Sequence, residues 1–128
     1  AEYERLSHKV VADEAALHET LFGPDRVAET WMAVEDGAPV GFALFFRNYS
    51  TFLARPGIYL EDLFVIPEAR GRGYGKALLE HVVSLARERG YGRVEWSVLD
   101  WNQPAIDFYR SMGATPMDDW TTMRIELP

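Results

Sequence analysis

I-Y-L-E-D-L-F-V-I-P, residues Ile58 to Pro67, is an apolar strand-like run; R-G-R-G-Y-G-K, Arg70 to Lys76, follows it and leads into A-L-L-E-H-V-V-S-L-A-R-E-R, Ala77 to Arg89. The last of these is the clearest helix in the chain. From about Gly75 to Arg89, Leu78, Leu79, Val82, Val83, Leu85 and Ala86 make a wide apolar stripe, Arg87 and Arg89 lie near the C-terminal dipole, and Gly90 caps the end. Between strand and helix, three glycines and three cations fall within seven residues. A P-loop would need Gly at the position of Arg70 and Ser or Thr at that of Ala77, and the dinucleotide fingerprint G-x-G-x-x-G does not fit glycines at 71, 73 and 75. The physical expectation survives both failures. Alternating glycines let main-chain amides converge, the helix contributes the positive end of its dipole, and Arg70, Arg72 and Lys76 add formal charge, which together predict an anion cradle sized for phosphates. The alternative, a loop that merely connects strand to helix, would need neither the glycines nor the cations.

Working outward, residues 13 to 22 read as a helix, with Leu17 and Leu21 four apart and Gly23-Pro24 as its stop. Val27 to Glu35 and Pro39 to Tyr49 are β-rich runs joined through Asp36-Gly37, a dipeptide that favours a tight hairpin. Arg93 to Leu99 predicts a strand after the central helix. Asn102, with Pro104 behind it, reads as the cap and first turn of a helix through Met112 that Gly113 closes, and Trp120 to Leu127 alternates like a last strand. The order α-β-β-β-α-β-α-β joins an antiparallel run to a β-α-β unit, so the expected class is α+β with a mixed central sheet flanked by helices. Trp31, Trp96 and Trp101 are expected in the core.

The 128 residues suit a single domain over 1–128, with 48% hydrophobic and 26% charged residues and a net charge of −7. The absence of cysteine excludes disulfides, thiolate metal sites and a cysteine nucleophile and suits the cytoplasm, while His8, His18 and His81 show no paired ligand spacing, so no metal is expected. Excess acid argues against a nucleic-acid partner. Residues 1 to 62 carry 11 acids and 5 bases, a field that would draw a cationic substrate, although surplus acid also simply keeps a domain soluble. No apolar run approaches the roughly 20 residues that a bilayer-spanning helix needs, so no membrane partner is expected.

Arg70, Gly73 and Gly75 fill the pattern (Arg/Gln)-x-x-Gly-x-(Gly/Ala), the preceding strand ends L-F-V-I-P, and W-N-Q-P-A-I-D-F-Y-R-S-M-G-A spans Trp101 to Ala114. In these residues the chain resembles the GNAT acyltransferases, the Gcn5-related N-acetyltransferase superfamily. The segments Y-L-E-D-L-F-V, L-D-W-N-Q and N-Y-S-T-F are similar to the diamine (spermidine/spermine) branch, particularly its thialysine acetyltransferase relatives. The resemblance implies the GNAT acyl-CoA acyltransferase fold, acetyl-CoA as co-substrate and transfer of an acetyl group to a primary amine of a small cationic substrate: thialysine, a lysine-like amine, a diamine or a polyamine. Family members begin with a strand and most of a helix, about 20 residues, that this chain lacks. A sheet without its first strand would present an edge that invites heterogeneity or a partner.

Such chemistry needs a proton acceptor, because a primary ammonium has a pKa near roughly 10.4 and must lose a proton before its nitrogen attacks the thioester carbonyl. Glu61 and Asp62, adjacent on one strand, should point to opposite faces, and a carboxylate buried in an apolar strand is costly unless used. By resemblance Glu61 is the base, through water, and Asp62 helps hold the cation; a structural salt bridge or hydrogen bond is the alternative for either. The resemblance makes Tyr109 the acid that protonates the departing thiolate and a cofactor contact, and Asn102 a contact of the pantetheine arm; a core aromatic and a plain helix cap are the competing readings. Backbone groups of Leu63 and Val65, with Phe64 between them, should meet the pantetheine like a missing strand, one amide polarising the thioester oxygen. Gly71, Arg72, Gly73, Tyr74, Gly75 and Lys76 complete the cofactor set with Arg70.

For the amine pocket the resemblance offers Tyr3 and Glu4, with Phe52 near the mouth, beside Glu61 and Asp62. Polyamine enzymes of the branch carry Asp where Ser50 stands, which points toward shorter amines such as thialysine, lysine analogues or simple diamines. The branch implies a homodimer, with Trp120 to Leu127 a participant. Two other functions remain open: an acyl-CoA-binding regulatory module without turnover, and acetylation of proteins or peptides.

Overall fold

A computed structural model describes residues 14–128. The chain divides after Ser97 into two compact units.

In the first unit, helix α1 (Glu14–Phe22) begins with an acid in its first turn and stops at Gly23, whose N–H donates to Glu19 O at 2.8 Å. A Cβ at Gly23 would stand 2.3 Å from that same carbonyl, so the stop requires glycine. Strands β1 (Glu29–Glu35) and β2 (Ala38–Ser50) are antiparallel, and the turn between them has φ 52° at Asp36 and φ 80° at Gly37, the two left-handed residues a tight hairpin needs. Strand β3 (Arg55–Val65) returns antiparallel to β2. A single 3-10 turn (Pro67–Ala69) and helix α2 (Tyr74–Glu88) carry the chain over to β4 (Val94–Glu95), which runs parallel to β3. The sheet is therefore mixed, in the order β1-β2-β3-β4.

The core lies between this sheet and α2. Ala43, Phe45, Ile58 and Leu60 are buried on the sheet, and Leu78, Leu79, Val82 and Ala86 are buried on the helix. Burying a large apolar side chain stabilises by roughly 1.5–3 kcal/mol, so this interface dominates the energetics of the unit. Trp31 pairs with Ala43 and its ring meets that of His81 on α2 at 4.2 Å, which fixes the Ala43 face as the helix-covered one. Contrary to expectation Trp31 stays partly exposed at the rim, and Trp96 is half-buried.

Two strands differ from the sequence reading. The one expected over Arg93 to Leu99 is only two residues long, because Trp96 and Ser97 no longer pair with β3, although the Tyr59 hydroxyl stays 2.7 Å from Ser97 Oγ. Trp120 to Leu127 forms no strand: alternation marks a face, but a strand also needs an edge to pair with, and residues 98 to 128 contain none. Its Trp120, Met123, Ile125 and Leu127 are exposed. Helix α3 (Gln103–Ser111) is the one regular element of the second unit. Asn102 caps it by accepting from Ala105 N–H at 3.3 Å, Pro104 sits in its first turn, and Gly113, at φ 96°, closes it. Trp101, expected in the core, is half exposed just before the cap. No helix among the described residues is long and apolar enough to cross a membrane.

Candidate active site

Strand β3 does not alternate regularly. Leu60 pairs with Phe45 and Asp62 with Leu44, so Glu61 is an extra residue opposite no partner, a β-bulge. The bulge resets the faces. Leu63 and Val65, opposite Ala43 and Gly41, join Ile58 and Leu60 on the helix-covered face, while Tyr59, Asp62 and Phe64 share the other with Phe46, Leu44 and Phe42. The Phe42–Phe64 and Phe46–Tyr59 ring pairs, at 5.9 and 5.3 Å, line that second face. Gly41 permits the close approach beside Val65, since a Cβ there would come within 2.7 Å of Phe64 O.

The same count fixes which backbone groups are available. Ile58 N–H points away from β2, donating to Arg93 O at 3.0 Å. Residues on one face of a strand direct their N–H and C=O to the same edge, so Leu63 and Val65 present theirs to the side that β4 abandons after Tyr59. Val65 O accepts from Arg70 Nε at 2.9 Å. Arg70 also lies over the Phe64 ring, 5.7 Å from its centroid.

Between β3 and α2 the chain forms a concave turn. Gly71 and Gly73 have φ of 80° and 88°, and an added Cβ at either meets nothing within 4 Å, so glycine is there for the backbone angle and the surroundings are open. Gly75 is different: it is helical, and a Cβ there would only touch Val65 Cγ2 at 3.9 Å. Gly73 caps α2 with no side-chain hydrogen bond, and the earliest bond at this end runs from Ala77 N–H to Gly73 O at 3.0 Å. The amides of Tyr74, Gly75 and Lys76 thus stand at the positive end of the helix without intrahelical acceptors.

The cations around this turn have individual assignments. Arg72 donates to Glu35 Oε1 at 2.6 Å, and the Tyr74 hydroxyl donates to Glu35 Oε2. The Tyr74 hydrogen bond, then that of Arg72, holds the Glu35 carboxyl below its ordinary range, and the same carboxylate raises the Tyr74 phenol. Lys76 is 3.9 Å from Glu80, a loose exposed pair. Sequence reasoning missed Glu35. It stands 37 residues from Arg72, and its only local signal was its place before the hairpin dipeptide Asp36-Gly37.

The structure thus brings Leu63, Phe64, Val65 and Arg70 to Lys76 together in one unit, with Glu61 and Asp62 further back along β3. Glu61 is exposed, which corrects the expectation of a buried carboxylate; Asp62 is half-buried. Asn102 and Tyr109 belong to the second unit, where Asn102 is a helix cap and Tyr109 is half-buried, its ring 5.4 Å from that of Phe108. Phe52 is 85% exposed in the turn between β2 and β3. Tyr3 and Glu4 lie outside the described residues.

The sequence pattern of the acetyltransferase (GNAT) family matches residues 2–114. The chain is 45% identical to an L-ornithine N5-acetyltransferase of Arabidopsis thaliana over 80% of its own length, but it spans only 45% of that protein. It is 37% identical to the thialysine N-epsilon-acetyltransferase of Bos taurus, covering 98% of this chain and 80% of the relative. Among solved structures, an integron cassette protein from the mobile metagenome of V. cholerae superposes with a TM-score of 0.83 at 27% identity, over 98% of this chain and 80% of that one.

Proposed function

The chain belongs to the acetyltransferase (GNAT) family, and on that premise we propose that it transfers an acetyl group from acetyl-CoA to a primary amine of a small cationic substrate. The observation that carries this reading is the open turn of left-handed Gly71 and Gly73 at the uncapped start of α2, beside the free edge of β3. Acetyl-CoA supplies an activated thioester acyl group and a diphosphate. The amides of residues 71 to 76 fit the diphosphate, because oriented N–H groups and a helix start favour an anion without needing a formal charge. Leu63 and Val65 offer edge groups for the pantetheine amides, and Val65 N–H remains available although Val65 O is taken by Arg70.

Glu61 sits on the bulge, exposed, where a carboxylate keeps its charge in water and accepts a proton from the substrate ammonium through an ordered water. Asp62, on the aromatic face with Tyr59 and Phe64, adds negative charge toward a cationic acceptor. As the amine nitrogen bonds to the acyl carbon and the carbon–sulfur bond breaks, Tyr109 gives its hydroxyl proton to the thiolate, and Asn102 orders the start of the helix that carries it. Relatives named for thialysine and ornithine acetylation support an amino acid with an aminoalkyl side chain as acceptor. Ser50, buried at the end of β2, accepts from Leu53 N–H at 3.2 Å and contributes no charge, in keeping with an acceptor shorter than a polyamine.

A thiol-release assay over free thialysine, ornithine, lysine, diamines and lysine peptides tests this. Turnover with the free amines is expected; turnover confined to peptides contradicts it, as does coenzyme A binding with no acceptor at all. Tyr109→Phe should lower kcat about 10²-fold or more, the scale of a positioned proton donor, while changing acetyl-CoA affinity little. An unchanged kcat would remove Tyr109 from the reaction.

A further inference from the structure

Glu35 is the last residue of β1, and both of its carboxylate oxygens are engaged by the turn that precedes α2. Its two donors, Arg72 and Tyr74, flank Gly73, the residue whose φ of 88° aims the first helical amides. Resting on the acetyl-CoA reading above, we infer that Glu35 is a positioning residue for the diphosphate cradle: by tying down the side chains on both sides of Gly73 it holds that glycine's left-handed conformation ready before the ligand arrives.

Three features carry this. Gly71 and Gly73 touch nothing that would restrain them, since even an added Cβ would meet open space. A loop with two such residues has many accessible backbone states, and binding must otherwise order them at a cost in affinity. The helix start also has no side-chain cap that could do the same work locally. Finally, Arg72 and Tyr74 turn their polar ends to Glu35, which leaves the main-chain amides, not these side chains, as the groups presented to the anion. Arg72 therefore serves as an anchor whose charge is matched by Glu35.

The test compares wild type with Glu35→Gln, Glu35→Ala, Tyr74→Phe and the Glu35→Ala/Tyr74→Phe double variant, each checked for folding by thermal melting. Dissociation constants are measured for coenzyme A and for S-acetylpantetheine, which has no diphosphate, and kcat is measured at saturating donor and amine. Glu35→Ala should weaken coenzyme A about three- to fivefold, within the range of an exposed charged pair, with the glutamine variant between it and wild type because its amide oxygen still accepts from Tyr74. S-acetylpantetheine affinity and kcat should hold, and adding Tyr74→Phe to Glu35→Ala should cost nothing more. Coenzyme A affinity that is unchanged or tighter in folded Glu35→Ala overturns the inference, the tighter case showing a carboxylate that competes with the ligand for Arg72. Equal weakening of both ligands also overturns it, since that is a general structural loss. If wild type itself ignores coenzyme A, the acetyl-CoA reading falls and the inference with it; if wild type binds and only the variants fail to respond, the reading stands and the inference alone falls.

Discussion

The two ends of α2 are fastened to the same strand by the same chemistry, yet one end is closed and the other is open. At the C-terminus, Arg89 grips Glu29 at the start of β1 with two hydrogen bonds of 2.7 and 2.8 Å. Gly90, at φ 73°, ends the helix there, with its N–H on Arg87 O and Tyr91 N–H on Ala86 O, so the last carbonyls are satisfied by a Schellman closure. At the N-terminus, Glu35 at the other end of β1 grips Arg72 and Tyr74, and a left-handed glycine again adjoins the helix, but no side chain caps the amides. A purely structural helix end pairs its own backbone. One that leaves its amides presented, while fixing the residues around them, is arranged for something from outside.

Matched substitutions sharpen the contrast. The largest effect is expected at Gly73→Ala, which should weaken acetyl-CoA about tenfold or more in calorimetric titration, because a left-handed conformation costs an L-residue roughly 1–2 kcal/mol and relaxing it turns the amides away. Gly90→Ala carries the same backbone penalty, so it should lower unfolding stability by about 1 kcal/mol and leave acetyl-CoA affinity unchanged. Equal affinity losses from both would erase the distinction between the ends. The smallest effect concerns acid. The hydrogen bonds from Arg89 hold the Glu29 carboxyl below its ordinary range against an opposing desolvation. A depressed folded-state value means that the stabilisation is complete above the ordinary carboxylate range and is lost as pH falls through the lowered one. Melting midpoints of wild type should therefore fall more steeply on acidification than those of Glu29→Gln, and parallel curves would show that the pair contributes nothing.

What the sequence made legible follows the range of the forces involved. The hairpin at Asp36-Gly37, the stripe of α2 and the Asn102, Pro104 and Gly113 punctuation of α3 are local, decided by residues within a turn or two, and the structure places each where the pattern predicted. The turn from Arg70 to Lys76 was legible for the same reason, though two of its three glycines, not all three, need a positive φ. The bulge at Glu61 was not. It is a property of how β3 registers against β2, and β3 read alone gives strict alternation, so both the exposure of Glu61 and the shift of Leu63 and Val65 to the helix side were hidden. Glu35 was hidden likewise, since its partners lie 37 and 39 residues on. Trp120 to Leu127 failed in the opposite direction: the alternation is present, but pairing depends on an edge that no local pattern reports.

The central claim is that main-chain amides at the start of α2 receive the diphosphate, and amide chemical shifts followed by two-dimensional NMR during a coenzyme A titration test it residue by residue. Gly71, Gly73, Tyr74 and Gly75 should move most and saturate together, with Leu63 and Val65 following and Gly90 and Tyr91 still. Saturable binding that leaves the four turn amides unmoved, or no binding at all, would contradict the account.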